Sequence, residues 1–297
     1  MFSSSRIGFV TPRVSPPPQD LLEPEVIAWR DRVESLESQS LEPEALTILN
    51  NLVVTLKTRG VWLNLIQLIP VSIARTVAGS CYAITGPDAS PTNITNSIYD
   101  RTSGIRIPYG MDTSYIDTNY LLTNNQKSDI YTGAYVTIPQ LDKSVTGQNL
   151  EVMCSTDHSS SSQRLYEIMI ARHTGSAPSW SPGLAGRHYS TSSKVFGNSG
   201  ASPVDLFTEL NSPNWVSMSS NTGNKFNLNV RDQISADQDG GITNLSPQTN
   251  LIWLNSIGAK IEFTGGVNMC MISTYHNTEI WDAMETYNTQ LQGLNLS

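Results

Sequence analysis

The residues of this 297-residue chain best suited to moving protons are four histidines, His158, His173, His188 and His276. Those best suited to nucleophilic attack or soft-metal binding are Cys81, Cys154 and Cys270. Neither set sits in a catalytic frame. No Gly-x-Ser-x-Gly elbow accompanies the histidines. His158, in TDHSSSSQ, and His188, in AGRHYSTSS, have the polar surroundings of solvated loop residues. The cysteines are odd in number, widely spaced and without CxxC pairing, so buried reduced thiols are expected, not a disulfide framework or a zinc site. Glycoside cleavage needs two carboxylates held across one bond, and no strand carries alternating acids such as ExDxE. Asp112 and Asp117 flank the aromatic-rich stretch PYGMDTSYIDTNY, but a five-residue spacing puts them on opposite faces of a strand. The segment ADQDGG, with Asp237, Asp239 and Gly240, has a calcium-loop look. In the frame that Gly240 sets, however, the first and last ligand positions fall on Ser235 and Ser246, so a glycine-rich turn is expected. No catalytic residue, cofactor or metal is therefore expected, and the chain reads as a non-enzyme.

Aromatic side chains in polar surroundings are the feature that points to a ligand. Tyr109, Tyr115 and Tyr120 fall in one region, and Trp180, Tyr189 and Trp215 lie among Ser, Asn and Pro. Aromatic faces stack on the CH surfaces of sugars while Asn, Ser and Thr supply hydrogen bonds, which makes these six a candidate glycan-binding set. The alternative is that they pin long loops onto the body of the fold.

Charge narrows the partners. A net charge of −8 with a pI near 5.0 and no Lys/Arg cluster argues against a nucleic-acid backbone. No run of 18 apolar residues is present, and the N-terminus lacks the apolar core of a signal peptide, so synthesis in a cytosol without membrane contact is expected.

The elements that must position these residues are mostly strands. Short apolar or alternating runs at 128–138, 167–173, 225–230, 250–254, 260–263 and 267–273 are separated by polar, turn-rich stretches. They predict a mainly β fold, a two-sheet antiparallel sandwich of jelly-roll or lectin-like type. Two N-terminal helices are expected, opened by Glu23-Pro24-Glu25 and Glu42-Pro43-Glu44, where proline suits the first helical position and the acids suit the dipole. Ala45, Leu49, Leu52, Val53 and Leu56 form one stripe of the second, which Gly60 is placed to end. The stretch VWLNLIQLIP at 61–70 should pack under the sheet edge. A last amphipathic helix over 277–293, with Ile280, Trp281, Met284, Tyr287 and Leu291 on one side, should close over the sandwich. The chain thus divides into an extended Pro-rich arm (1–22), a helical docking segment (23–70) and a β-sandwich domain (71–297). In the arm, Pro16, Pro17 and Pro18 favour extended backbone, and Ile7, Phe9, Val10 and Val14 suit a strap on a neighbouring subunit; a plain tail is the other reading.

The stretch LTILNNLVVTLKTRGVWLNLIQLIP resembles a segment common in tailed-bacteriophage virion proteins, the match being carried by Asn51, Leu52, Val53, Leu56, Lys57, Gly60 and Trp62. SGIRIPYGMDTSYIDTNY, with Tyr115, Asp117 and Thr118, resembles the first strand pair of that family. NLIWLNSIGAKIEFTGGVNMCMIS and HNTEIWDAMETYNTQLQGL resemble its closing strands and C-terminal helix. The Pro-rich arm and the Ser-rich loops depart from the pattern. The resemblance implies a concanavalin- or LamG-like sandwich on a tail, fibre, baseplate or capsid, made in the host cytoplasm and residing in the virion, with other virion proteins as partners and no catalytic residues to carry over. By analogy with decoration and fibre proteins it implies a homo-oligomer, with three copies the expected number. A carbohydrate-binding module for host surface glycan is the alternative, and a polysaccharide depolymerase a third reading.

Overall fold

A computed structural model describes residues 21–95, 98–107, 113–126, 129–137, 150–156, 166–171, 183–189, 194–196, 214–221, 224–230, 233–241, 250–256, 261–262, 265–274, 278–294 and 296. The expected arm, with Ile7, Phe9, Val10, Val14 and Pro16 to Pro18, lies outside these residues.

Among the described residues every strand pairing is antiparallel, and the strands form two large sheets and one two-stranded ribbon. The first runs β13 (Gln233–Ile234), β12 (Lys225–Val230), β11 (Asn214–Asn221), β6 (Tyr131–Thr137), β18 (Gly266–Ser273), β4 (Gly104–Arg106) and β3 (Tyr99–Asp100). At its margins β1 (Leu65–Ile69) pairs with β18, and β14 (Gln238–Asp239) pairs with β12. The second sheet runs β10 (Lys194–Phe196), β9 (Gly183–His188), β8 (Tyr166–Ala171), β7 (Leu150–Thr156), β15 (Asn250–Trp253), β5 (Tyr115–Leu121) and β2 (Ser90–Thr92). A separate ribbon joins β16 (Asn255–Ser256) to β17 (Ile261–Glu262). This is the expected two-sheet sandwich, and all six apolar runs read from the sequence contain strands.

Helices α1 (Pro24–Glu37) and α2 (Pro43–Thr58) begin at the predicted prolines. The first stops at Ser38, which is left-handed at φ 52°, and Gly60 takes φ 71° just beyond the second. A short α3 (Val77–Ser80), which the sequence did not announce, is capped by Thr76, whose hydroxyl accepts from the Gly79 N–H. The last helix, α4 (Thr278–Gln292), buries all five side chains expected of it, Ile280, Trp281, Met284, Tyr287 and Leu291.

The molecule has two apolar cores because the first sheet is covered on both sides. Between the sheets lie Ile105, Ile116, Val136, Cys154, Ile168, Leu228, Trp253 and Cys270. On the outer side of the first sheet, Tyr131, Tyr135, Trp215, Met269 and Met271 pack with Trp29, Leu49, Leu56, Trp281 and Tyr287 of the helices. That double cover explains why β18 is buried at every position and shows no alternation of apolar and polar residues, its Asn268 being held by donating to Ser72 Oγ and the Thr102 carbonyl. The apolar stripe of the expected helical docking segment, 23–70, packs on its own sandwich. The stretch expected under the sheet edge enters the sheet instead, as β1, because its backbone pairs with the free edge of β18. Buried Gln67 in that strand is held by donating to the carbonyls of Pro87 and Thr118.

Polar bonds fix the helical layer. The Trp215 and Trp281 indole N–H groups donate to one acceptor, the Tyr131 hydroxyl, at 2.7 and 2.8 Å. Gly133 is required beside them, since a Cβ there would lie 2.4 Å from the Trp215 ring. Buried Arg101 donates to both carboxylate oxygens of Glu42, at the start of α2, and to the Ile73 carbonyl. No helix among the described residues is long and apolar enough to cross a membrane.

Candidate functional site

The six aromatic candidates do not form one site. Tyr109 and Trp180 lie outside the described residues. Trp215 is 1% exposed and Tyr189 fully buried, which corrects their reading as exposed ligand-binding residues. Trp215 belongs to the helical core, and the Tyr189 hydroxyl donates to the Thr123 carbonyl. Polar neighbours in sequence misled here because Ser217 and Ser219 are themselves buried on the same strand. Tyr120 is half-buried against the inter-sheet core, where burial, then the nearby Asp129 carboxylate, push its hydroxyl pKa up. Tyr115 alone keeps a place on the outer side, half-buried on β5.

His188 is also corrected: it ends β9 fully buried, stacked on Phe226 with ring centroids 5.5 Å apart and edge-on to Tyr189. The ADQDGG segment, expected to be a glycine turn, instead carries β14, and its two glycines follow that strand. The Gly240 N–H donates to the Asn224 carbonyl and the Gly241 N–H to that of His188, stitching the margin of the first sheet to β9. Glycine is needed at 240 because a Cβ would meet the Asn224 carbonyl at 2.3 Å. Among the described residues no group of three His, Cys, Asp or Glu side chains is placed to hold a metal ion. The three cysteines are buried and free, and burial pushes the Cys81 thiol up to about 12.

What the structure does assemble is a row of side chains across the second sheet. Directly opposed partners run Ser90, Asp117, Ile252, Ser155, Glu167, Arg187 through five pairings of β2, β5, β15, β7, β8 and β9. Opposed residues in antiparallel strands share a face. The flanking residues Ile116, Trp253, Cys154 and Ile168 all belong to the inter-sheet core, so the row lies on the outer face. At about 4.8 Å per strand it extends roughly 24 Å.

The two ends of the row differ. At one end Glu167 is fully buried and pairs with Arg187 at 3.2 Å, the arginine side chain being 16% exposed. Ser155 is buried between the ends and donates to the Asn255 carbonyl at 2.7 Å. At the other end the surface is open. Asp117, half-buried, accepts from the Asn119 backbone N–H at 2.7 Å and from Asn250 Nδ2 at 3.1 and 3.3 Å. Asn119 takes the left-handed conformation, φ 54°, and its amide donates to the Asp88 carbonyl and to Ser90 Oγ. Tyr115 precedes Asp117 by two residues, hence shares its face, and is opposed by Thr92. An aromatic ring, a carboxylate, two amides and two hydroxyls thus meet at one margin of the sheet.

Sequence reasoning singled out Tyr115, weighed Asp117 only as a catalytic acid and set it aside, and passed over Asn119, Asn250, Glu167 and Arg187. For Glu167 the available signal was a lone acid inside the apolar strand YEIMIA; for Asn250 and Asn119 there was none, because cross-strand register creates their contacts.

No protein-family model matches the sequence, and no curated protein sequence matches it. Known structures give likenesses of shape. A mutant Trypanosoma rangeli sialidase displaying trans-sialidase activity aligns with TM-score 0.49 at 10% identity, over 82% of this chain and 39% of the sialidase. The botulinum neurotoxin serotype D binding domain aligns with TM-score 0.46 at 10% identity, over 76% of this chain and 52% of that one. The CBM40 of Ruminococcus gnavus IT-sialidase, bound to alpha2,3 sialyllactose, aligns with TM-score 0.35 at 10% identity, over 55% of this chain and 85% of that one. The chain spans about two-fifths of the first of these.

Proposed function

We propose that the chain is a carbohydrate-binding module whose contact surface is the open end of the outer row on the second sheet. The observation that carries this reading is the convergence of Tyr115, Asp117, Asn119, Asn250 and Ser90 on one accessible margin. A ring that stacks on a pyranose, flanked by fixed acceptors and donors for its hydroxyls, is what sugar recognition requires. Recognition without cleavage fits the row. Asp117 and Glu167 stand three strand steps apart, about 14 Å, against the 5 to 9.5 Å separation of glycosidase carboxylate pairs. The test is a glycan array read with the full chain, followed by titration of any sugar bound. Tyr115→Ala and Asp117→Ala should each abolish the signal without altering the thermal melt, and release of reducing sugar from a bound polysaccharide would replace binding with hydrolysis.

A second role, as a structural component of a virion, is favoured by the opposite side of the molecule. Leu63 is 93% and Leu21 66% exposed, and they flank a linked set in which the Lys57 ammonium lies 5.5 Å above the Trp62 ring and 2.6 Å from Glu23. Residues 1–20 join the chain here, and an apolar strap such as Ile7, Phe9, Val10 and Val14 from a neighbouring copy suits such a surface. The segments that resemble virion proteins also meet in one unit, through the β1–β18 pairing and the packing of α2 with α4. Light scattering of the chain with and without residues 1–20 tests it: an oligomer that becomes a monomer on truncation supports the reading, and a monomer in both cases removes it.

A further inference from the structure

We infer that the sugar taken by this face is a neutral, hydroxyl-rich pyranose and that acidic sugars are rejected; the inference rests on the carbohydrate-binding reading above. A sugar carboxylate or sulfate is recognised by an unmatched cation or by converging N–H donors, and the side-chain amides of Asn119 and Asn250 at this margin already donate to protein acceptors. Among the described residues two guanidinium groups come near the row, and each is already matched. Arg187 stands 3.2 Å from the buried Glu167, four strands away from the open end. Arg32, beyond the Asn119 margin, donates to both carboxylate oxygens of Asp88 at 2.7 and 2.9 Å and to the Ala83 carbonyl, with Tyr82 beneath its guanidinium.

Among the described residues the unmatched charge at the open end is negative. Asp117 accepts from two amide N–H groups and from no cation among the described residues. A carboxylate held in that way keeps acceptor capacity on Oδ2, whose one partner is the long 3.3 Å bond from Asn250. Aligned hydroxyls of a pyranose can donate to it, and the Tyr115 ring beside it offers the stacking surface. An acidic sugar seated there would instead set like charge against like, on a chain whose net charge is already −8.

The experiment is a glycan array carrying neutral, sialylated, uronic-acid and sulfated oligosaccharides, read with the full chain at low and high salt, then titration with the best neutral ligand and its acidic counterpart. The expected result is binding confined to neutral glycans and indifferent to salt. Asp117→Asn, which keeps the side-chain shape and the acceptor for Asn119, should weaken the neutral ligand by about tenfold or more and narrow the gap to its acidic counterpart. Preference for acidic glycans, or an Asp117→Asn variant with both affinities unchanged, overturns the inference while leaving a carbohydrate-binding face in place. Absence of binding to every glycan overturns the parent reading and this one together.

Discussion

The two sheets present outer faces of opposite character. On the first, Tyr131, Tyr135, Trp215, Met269 and Met271 are roofed by three helices, and the polar atoms among them are spent on one another, two indoles on a single phenol. On the second, a polar row with one buried ion pair leads to an open margin. Burial separates them only at the margin: β18 is buried throughout and so are Ile252, Ser155 and Glu167 in the middle of the second sheet, whereas β5 alternates between buried and partly exposed positions over its first four residues. One outer face thus holds the sandwich together, while the other carries the open margin for which sugar contact is proposed, the division expected when function is grafted onto a scaffold.

That contrast is open to attack from either side. The largest effect is expected at Trp281→Ala, which empties a buried indole site in the roof and leaves Tyr131 with one donor fewer: a loss of about 3 to 5 kcal/mol in denaturant titration, with sugar affinity of the remaining folded protein unchanged. If affinity falls in step, the faces are coupled and the division fails. Next comes Glu167→Gln on the opposite sheet, which removes the carboxylate charge beside Arg187 and should cost about 3 kcal/mol. A neutral outcome would mean that the pair is dispensable to the fold. Asp117→Ala, by contrast, should shift stability by no more than about 0.5 kcal/mol while removing binding, because the residue is only half-buried.

The smallest effect concerns pH and sharpens the roof. Burial pushes the Tyr131 hydroxyl up to about 12, even though Ser217, Trp215 and Trp281 hydrogen-bond to it. The unfolded chain loses that proton near pH 10 while the folded chain keeps it, so stability is intact below about pH 10 and falls as pH rises from there toward 12. Urea midpoints measured across that window should decline, and Tyr131→Phe should flatten the decline. At the acid end Glu42, whose partial burial raises its pKa less than the hydrogen bonds and charge of Arg101 lower it, adds stability that disappears as pH drops below the ordinary carboxylate range.

Much of this architecture was legible in the residues, because the signals were local. Proline at the first turns, Gly60 past α2 and the stripe Ile280–Trp281–Met284–Tyr287–Leu291 each specify their element without help from elsewhere. The site was not legible in the same way. Tyr115 could be picked as an aromatic in polar company, but so were Tyr189 and Trp215, and only the pleat decides which of them faces a core. The meeting of Asp117 with Asn250, 133 positions apart, follows from register between strands, which no short window encodes.

One connection bears on how the molecule is born. β1 lies against β18, and Ser273 Oγ donates to the Asn64 carbonyl 209 positions earlier, so the floor of the opening helices, to which β18 adds Met269 and Met271, is completed only with that strand. During synthesis Trp29, Leu49 and Leu56 emerge early and wait, uncovered, for almost the entire chain to follow. Such late closure makes the order of assembly, as much as final stability, a hazard for this chain: a ribosome that stalls before residue 266 releases a sandwich with an apolar wound, a ready substrate for chaperones or for aggregation.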